Sequence, residues 1–184
     1  VGESGSGKSV SLLAVMGLLP AGARVAAGEI RFDGQRIDDA PEARMRALRG
    51  AAISMIFQDP MTSLNPVLRI GTQIGEAIRL HAPQTPKAEL RERVEGLLAS
   101  VGVPDPATRA RQFPHEFSGG MRQRAMIAMA IANGPKLLIA DEPTTALDVT
   151  IQAQVMDVLE GVCARNHASM ILVTHDLGLV AETA

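Results

Sequence analysis

Residues 2–9 read G-E-S-G-S-G-K-S, which fits the phosphate-binding loop pattern G-x-x-x-x-G-K-[ST] at every position. With 17 Gly, three Lys and 18 Ser plus Thr in 184 residues, only ~0.002 accidental matches are expected along the chain. Such a loop works where a strand runs into it and a helix leaves it. The backbone N–H groups of the Gly-rich turn then point at a phosphate, and the helix N-terminus adds its positive dipole end. The spacing predicts that helix over Gly7–Leu19. Gly2, Glu3, Ser4, Gly5, Ser6, Gly7, Lys8, Ser9 and Val10 are thus candidate nucleotide contacts, with the Ser9 hydroxyl suited to Mg²⁺. Val1 is the one residue before Gly2 and there is no initiator Met, so the sequence reads as an internal fragment whose leading strand is missing.

Composition narrows what such a loop can serve. The net charge is −2 and aromatics are 2% of the chain, with four Phe and no Trp or Tyr. That leaves neither a basic footprint nor stacking platforms for nucleic acid, so no nucleic-acid partner is expected. The lone Cys163 can form neither an internal disulfide nor a thiolate metal site, and a buried neutral thiol in a reducing compartment is expected. The longest apolar runs, Val10–Leu19 and Ala125–Ala132, are shorter than the ~20 residues that cross a bilayer, so any membrane role is expected to be peripheral. Arginine outnumbers lysine 15 to three, which makes Lys8, Lys87 and Lys136 positions worth explaining.

Along the chain, Glu29–Phe32 and Gln35–Ile37 are predicted to pair across Asp33-Gly34, a favoured hairpin turn. A short helix (Pro41–Arg49) and a buried strand (Ala52–Phe57) follow. Helical patterns cover Ile70–His81, Pro86–Val101 and Gly119–Asn133, punctuated by Pro83, Pro104, Pro106 and Pro114. Alternation then resumes with strand Lys136–Ala140, helix Val149–Asn166 and strand Ser169–Thr174. The expected fold is α/β: a phosphate-loop (P-loop) NTPase core with a parallel sheet, carried by 1–60 and 134–184, and an inserted helical subdomain over 61–133.

Residues 137–142, L-L-I-A-D-E, have the composition of a doubly buried strand ending in two carboxylates. Asp141 would sit at the strand's carboxyl end, where open α/β sheets place ligands, and is a candidate Mg²⁺ holder beside Ser9. Glu142 is placed to accept a proton from an attacking water. Ser118-Gly119-Gly120 precede a helix predicted over Met121–Asn133, where small residues leave N–H groups free to meet an anion.

With these residues in view, the chain resembles ABC-type ATPases. F-S-G-G-M-R-Q-R at 117–124 is similar to the signature of that family, Gln58 in F-Q-D-P to its Q-loop, Ala146-Leu147-Asp148 to its D-loop, and His175 in V-T-H-D to its switch histidine. The resemblance implies ATP and Mg²⁺ as ligands, with Gln58 sensing the metal and the water. It also implies a γ-phosphate contact from His175, and a second ATPase subunit whose Ser118, Gly119, Gly120 and Asp148 face the bound nucleotide. Lys8, Gln58, Glu142 and His175 are the expected catalytic set, and Ser9, Gln58 and Asp141 the metal set. Phe117 and Met121 stand where the commonest signature has Leu and Gln, and Met121 cannot supply a polar contact there. Arg122 and Arg124 read as a solvated helix face. His81, His115 and His167 read as surface or structural.

F-Q-D-P-M-T-S-L-N-P at 57–66 and H-E-F-S-G-G-M-R-Q-R-A-M-I-A-M-A at 115–130 are similar to ATPase subunits of bacterial dipeptide/oligopeptide importers, a group that includes nickel and glutathione importers. That implies integral membrane permease subunits as partners, an extracytoplasmic solute-binding protein indirectly, and a peripheral place on the cytoplasmic face of the inner membrane. The apolar stretch Met61–Leu68 suits contact with a permease helix. The alternative is a soluble ABC-type ATPase acting on the ribosome as a translation factor.

Overall fold

The computed structural model describes residues 6–58, 63–145 and 147–174. Three strands make a parallel sheet in the order β3 (Ile53–Ile56), β4 (Leu137–Asp141), β5 (Ser169–Val173). Ile53 pairs with Leu137, and Leu137 in turn with Ser169. The buried middle strand sorts its side chains by the two-residue period of a strand. Leu138 joins a cluster with the helices between β3 and β4, and Ile139 joins a second one with Leu12, Met16, Met45 and Val173 on the opposite face. One short apolar run thereby anchors both halves of the core.

On the second face lies α1 (Lys8–Val15), packed against β4. It is shorter than the Gly7–Leu19 helix expected from apolar content. Gly17, at φ 61°, turns the chain into the left-handed region, and its neighbour Leu18 donates its N–H back to Leu13 O at 2.8 Å. The hairpin forms as β1 (Arg31–Phe32) and β2 (Gln35–Arg36), with Asp33 and Gly34 both at positive φ as the turn requires. Lys136 Nζ donates to Asp33 Oδ2 at 2.6 Å, fastening the hairpin tip to the start of β4. Helix α2 (Glu42–Leu48) follows, and Arg49 after it donates to the carbonyls of Met16 and Gly17 at 2.7 and 2.9 Å.

The helices on the first face are α3 (Ile70–His81), α4 (Lys87–Ser100), the single turn α5 (Pro106–Arg109) and α6 (Gly119–Ala130). The periodicity locates α3 at its bounds, and α7 (Val149–Asn166) likewise. α6 stops at Ala130, short of the expected Asn133. The Asn133 amide instead donates to Gly50 O and Ala77 O at 3.0 and 2.9 Å, which pins the departing chain. The prolines read as punctuation do more: Pro106 opens α5 and Pro114 opens a 3-10 turn over Pro114–Glu116. Arg124 is not a merely solvated side chain. Its guanidinium donates to Val101 O, Gly102 O and Gln154 Oε1 at 3.2, 2.9 and 2.9 Å, tying three segments together. Cys163 is partly buried, and desolvation pushes its thiol above the usual range, in keeping with a neutral group.

Candidate functional site

The parallel sheet ends in the two carboxylates. Asp141 is the last residue of β4 and pairs with Val173, so it lies within the strand and not just beyond it. Its side chain is buried, and Oδ1 has no hydrogen-bond partner among the described residues. An ionised oxygen in that position costs free energy unless a cation or a polarised water meets it. The residue therefore fits the Mg²⁺ expected there.

Glu142 turns away from this line. Its backbone adopts φ 49°, an uncommon left-handed conformation for a side-chain-bearing residue, and its N–H is held by Val173 O at 2.9 Å. Such geometry persists where its surroundings fix it. The Glu142 Oε2 atom accepts from Gln58 Nε2 at 2.9 Å and from Thr145 Oγ1 at 3.0 Å. Gln58 leaves β3 two residues after Ile56, and Glu142 leaves the adjacent β4, so parallel pairing brings residues 84 positions apart in sequence into direct contact. Thr145 was not among the candidates. Its hydroxyl reaches Glu142 because residues 142–145 form a turn closed by Thr145 N to Glu142 O at 3.2 Å, and the hydroxyl three residues after the carboxylate is the signal that could have disclosed it.

At the loop, Gly7 caps α1 at φ 86°. Ser11 closes the first turn through both its N–H and its hydroxyl to Gly7 O, each at 2.9 Å. No acidic residue lies in that first turn, so the positive end of the helix is uncompensated within α1. Lys8 Nζ lies 3.5 Å from Ser6 Oγ, while Ser9 and Val10 are exposed. Gly2, Glu3, Ser4, Gly5 and His175 lie outside the described residues.

A second group forms around Ser118. Its hydroxyl caps α6 by accepting from Met121 N at 3.3 Å. The helix therefore begins at Gly119, the start that the Gly119–Asn133 pattern predicts, and both glycines belong to its first turn. A Cβ on Gly120 would come within 2.8 Å of Ile151 Cγ2, and one on Gly119 within 3.7 Å of Leu147 Cδ2. Glycine at 120 thus permits the close approach of α6 and α7. Asp148 caps α7 through Ile151 N at 3.0 Å. Ser118–Gly120 and Leu147–Ile151 consequently make one surface, with Asp148 exposed beside it.

Comparison with known proteins places the chain in a family. The family model described as ABC transporter matches residues 1–145. The dipeptide transport ATP-binding protein DppD of Escherichia coli (strain K12) is 56% identical over 184 residues, which is 100% of this chain and 56% of that protein. The oligopeptide transport ATP-binding protein OppD of Mycobacterium tuberculosis (strain ATCC 25618 / H37Rv) is 53% identical over 184 residues, 100% of this chain and 30% of its own length. The chain thus spans about half, or less, of the curated relatives it matches. Among solved structures, a dimeric post-hydrolysis state of the ATP-binding cassette MJ0796 bound to ADP and Pi superposes with a TM-score of 0.82 at 28% identity, covering 96% of this chain and 73% of that one. The translation-factor alternative gains no support from these relatives. A match over residues 1–145 that takes in the phosphate loop, Gln58, the Ser118 turn and both strand-end carboxylates means that the chain belongs to the ABC transporter family.

Proposed function

We propose that this chain is the ATP-binding and ATP-hydrolysing part of a subunit that powers a peptide importer. The observation that carries the catalytic half is the Glu142 carboxylate, held by Gln58 and Thr145 beside the buried, unpartnered Asp141 oxygen at the end of the sheet. In this reading Lys8 and the backbone of 2–9 hold the β- and γ-phosphates, with Val10 bordering them. Ser9, Gln58 and Asp141 hold Mg²⁺, which when bound neutralises developing phosphate charge. Glu142 takes a proton from the attacking water as its oxygen bonds to the γ-phosphorus, and the bridging oxygen leaves with ADP. His175 contacts the γ-phosphate.

The turn at Ser118, Gly119 and Gly120, exposed at its first two residues and half-buried at the third, with Asp148 beside it, supplies a second ATPase subunit with an anion-facing surface. Residues 61–133 serve as the helical signature subdomain between the two core segments 1–60 and 134–184. The transport half of the proposal rests on relatives named as dipeptide and oligopeptide transport ATP-binding proteins. It implies permease subunits as partners, an extracytoplasmic binding protein indirectly, and a peripheral seat on the cytoplasmic face of the inner membrane. No described helix is long and apolar enough to cross a membrane, which is compatible with that seat. A cavity of about 490 Å³ between β3 and α6, lined by Phe57, Ser63, Ala77, Met126 and Met129, offers an apolar, Met-rich contact for a permease segment.

The test is gentle purification of the full-length protein from its native host, followed by mass spectrometry and ATPase assay. Multi-spanning membrane subunits and a second ABC subunit should accompany an ATP-hydrolysing complex. Ribosomal proteins in a soluble pool would overturn the transport function.

A further inference from the structure

Of the three lysines, Lys8 belongs to the phosphate loop and Lys136 pairs with Asp33, while Lys87 enters neither the loop nor an ion pair. It opens α4 and faces a groove between α3 and α4 with a volume of about 450 Å³. The two helices present matching stripes to that groove. Thr72, Gly75, Glu76 and Arg79 come from α3, and Lys87, Leu90, Arg91 and Val94 from α4, both sets at the i, i+3, i+4, i+7 spacing of a single helix face.

Glycine sets the depth. A Cβ on Gly75 would touch Leu90 Cδ2 at 3.4 Å, and one on Gly71 would lie 2.7 Å from Ala110 O, inside contact distance. The helices and the 110–111 segment therefore approach closely over a floor of backbone, Leu90 and Val94.

Around the rim stand five cations: Arg69, Arg79, Lys87, Arg91 and Arg111. Glu95 pairs with Arg91 at 2.7 Å, and Arg69 lies 5.8 Å from the Phe113 ring centroid. Among the described residues, no carboxylate lies within ion-pair distance of Arg69, Arg79, Lys87 or Arg111. Among the described residues, Glu76 is the only acidic side chain lining the groove. This concentration of positive charge occurs in a chain whose net charge is −2, and the like charges repel one another unless an anion sits among them. A concave cavity of this volume suits a small ligand or headgroup. Forked guanidiniums suit phosphate oxygens, and the apolar floor suits the carbon attached to them.

We propose that the α3/α4 groove binds a phosphate ester, with Arg79, Lys87 and Arg111 taking the phosphate and Leu90 and Val94 the ester carbons. None of its lining residues belongs to the candidate ATP site, so the inference stands apart from the function proposed above. The ester can be a soluble metabolite-sized molecule or the headgroup of an anionic phospholipid, and the test separates these sources.

Full-length protein and its Lys87→Glu/Arg111→Glu variant are titrated calorimetrically with glycerol phosphate. They are also floated with vesicles of phosphatidylglycerol and, separately, of phosphatidylcholine, with the thermal midpoint as the check on folding. The wild type should bind at least one phosphate probe, and the variant should bind it at least about tenfold more weakly, consistent with loss of charge-assisted contacts. Loss on glycerol phosphate identifies a soluble ester. Loss on phosphatidylglycerol vesicles alone identifies a lipid headgroup. Glu76→Gln removes the one lining acid and should tighten binding about threefold, a gain that misfolding does not produce. Equal binding by wild type and both variants, or binding of neither probe, overturns the proposal, including the case in which only an acidic protein segment occupies the groove.

Discussion

The end of the sheet and the helical face that includes α3, α4 and α6 hold their polar groups by opposite means. At the sheet end, buried strands fix neighbouring residues so rigidly that Gln58 and Glu142 meet from adjacent strands, and Asp141 can be left with an unpartnered oxygen. On the helical face, glycines set how near the elements come, and long side chains stitch them: Arg124 to the 101–102 carbonyls, Asn133 to Gly50 and Ala77. Chemistry that needs a fixed carboxylate belongs at the first. Surfaces that meet a partner or a ligand belong at the second, where Ser118 and the groove cations remain exposed.

Substitutions can break that contrast, and removing the strand's own anchor should have the largest effect. Leu138 is 1% exposed within the helix-facing core, so Leu138→Ala should cost about 2–5 kcal/mol in denaturant unfolding. A loss below about 1 kcal/mol would mean that β4 does not anchor the helix-facing layer as described. On the helical side, Gly120→Ala forces a methyl to within 2.8 Å of Ile151 and should cost about 1–3 kcal/mol, while Gly119→Ala, with only an ordinary contact at 3.7 Å, should be close to neutral. Equal effects at 119 and 120 would show that close approach is not what the second glycine provides. The smallest expected effect sharpens the role of Asp148: Asp148→Ala should lose about 0.5–2 kcal/mol of capping, whereas Asp148→Asn retains the cap. A fall in ATP turnover in the Asn variant at unchanged stability would assign its charge a part in the nucleotide site, separate from the cap seen at 3.0 Å.

Much of this difference was legible in the sequence. Contiguous features were readable because their physics is local: L-L-I-A-D-E as a buried strand with terminal carboxylates, the Asp33-Gly34 turn, and the 3.6-residue periodicity that delimits α3 and α7. Features that depend on tertiary contact were not. The early end of α6 and the stapling by Arg124 are set by partners distant in sequence. Thr145 escaped notice because a threonine beside an acidic pair is an ordinary turn residue until its hydroxyl is seen at 3.0 Å from Glu142. The basic groove was equally hidden, since its cations come from three separated stretches, 69–79, 87–91 and 111, and each alone reads as a solvated surface residue.

Glu142, held at the sheet end by Gln58 and Thr145, is the base proposed to drive ATP hydrolysis. Its most direct test is steady-state ATP turnover and nucleotide binding of full-length Glu142→Gln beside the wild type. ATP binding should stay within about twofold of the wild type while turnover falls by roughly 10²- to 10⁴-fold, the range for removal of a general base. Near-normal turnover by that variant would contradict that role.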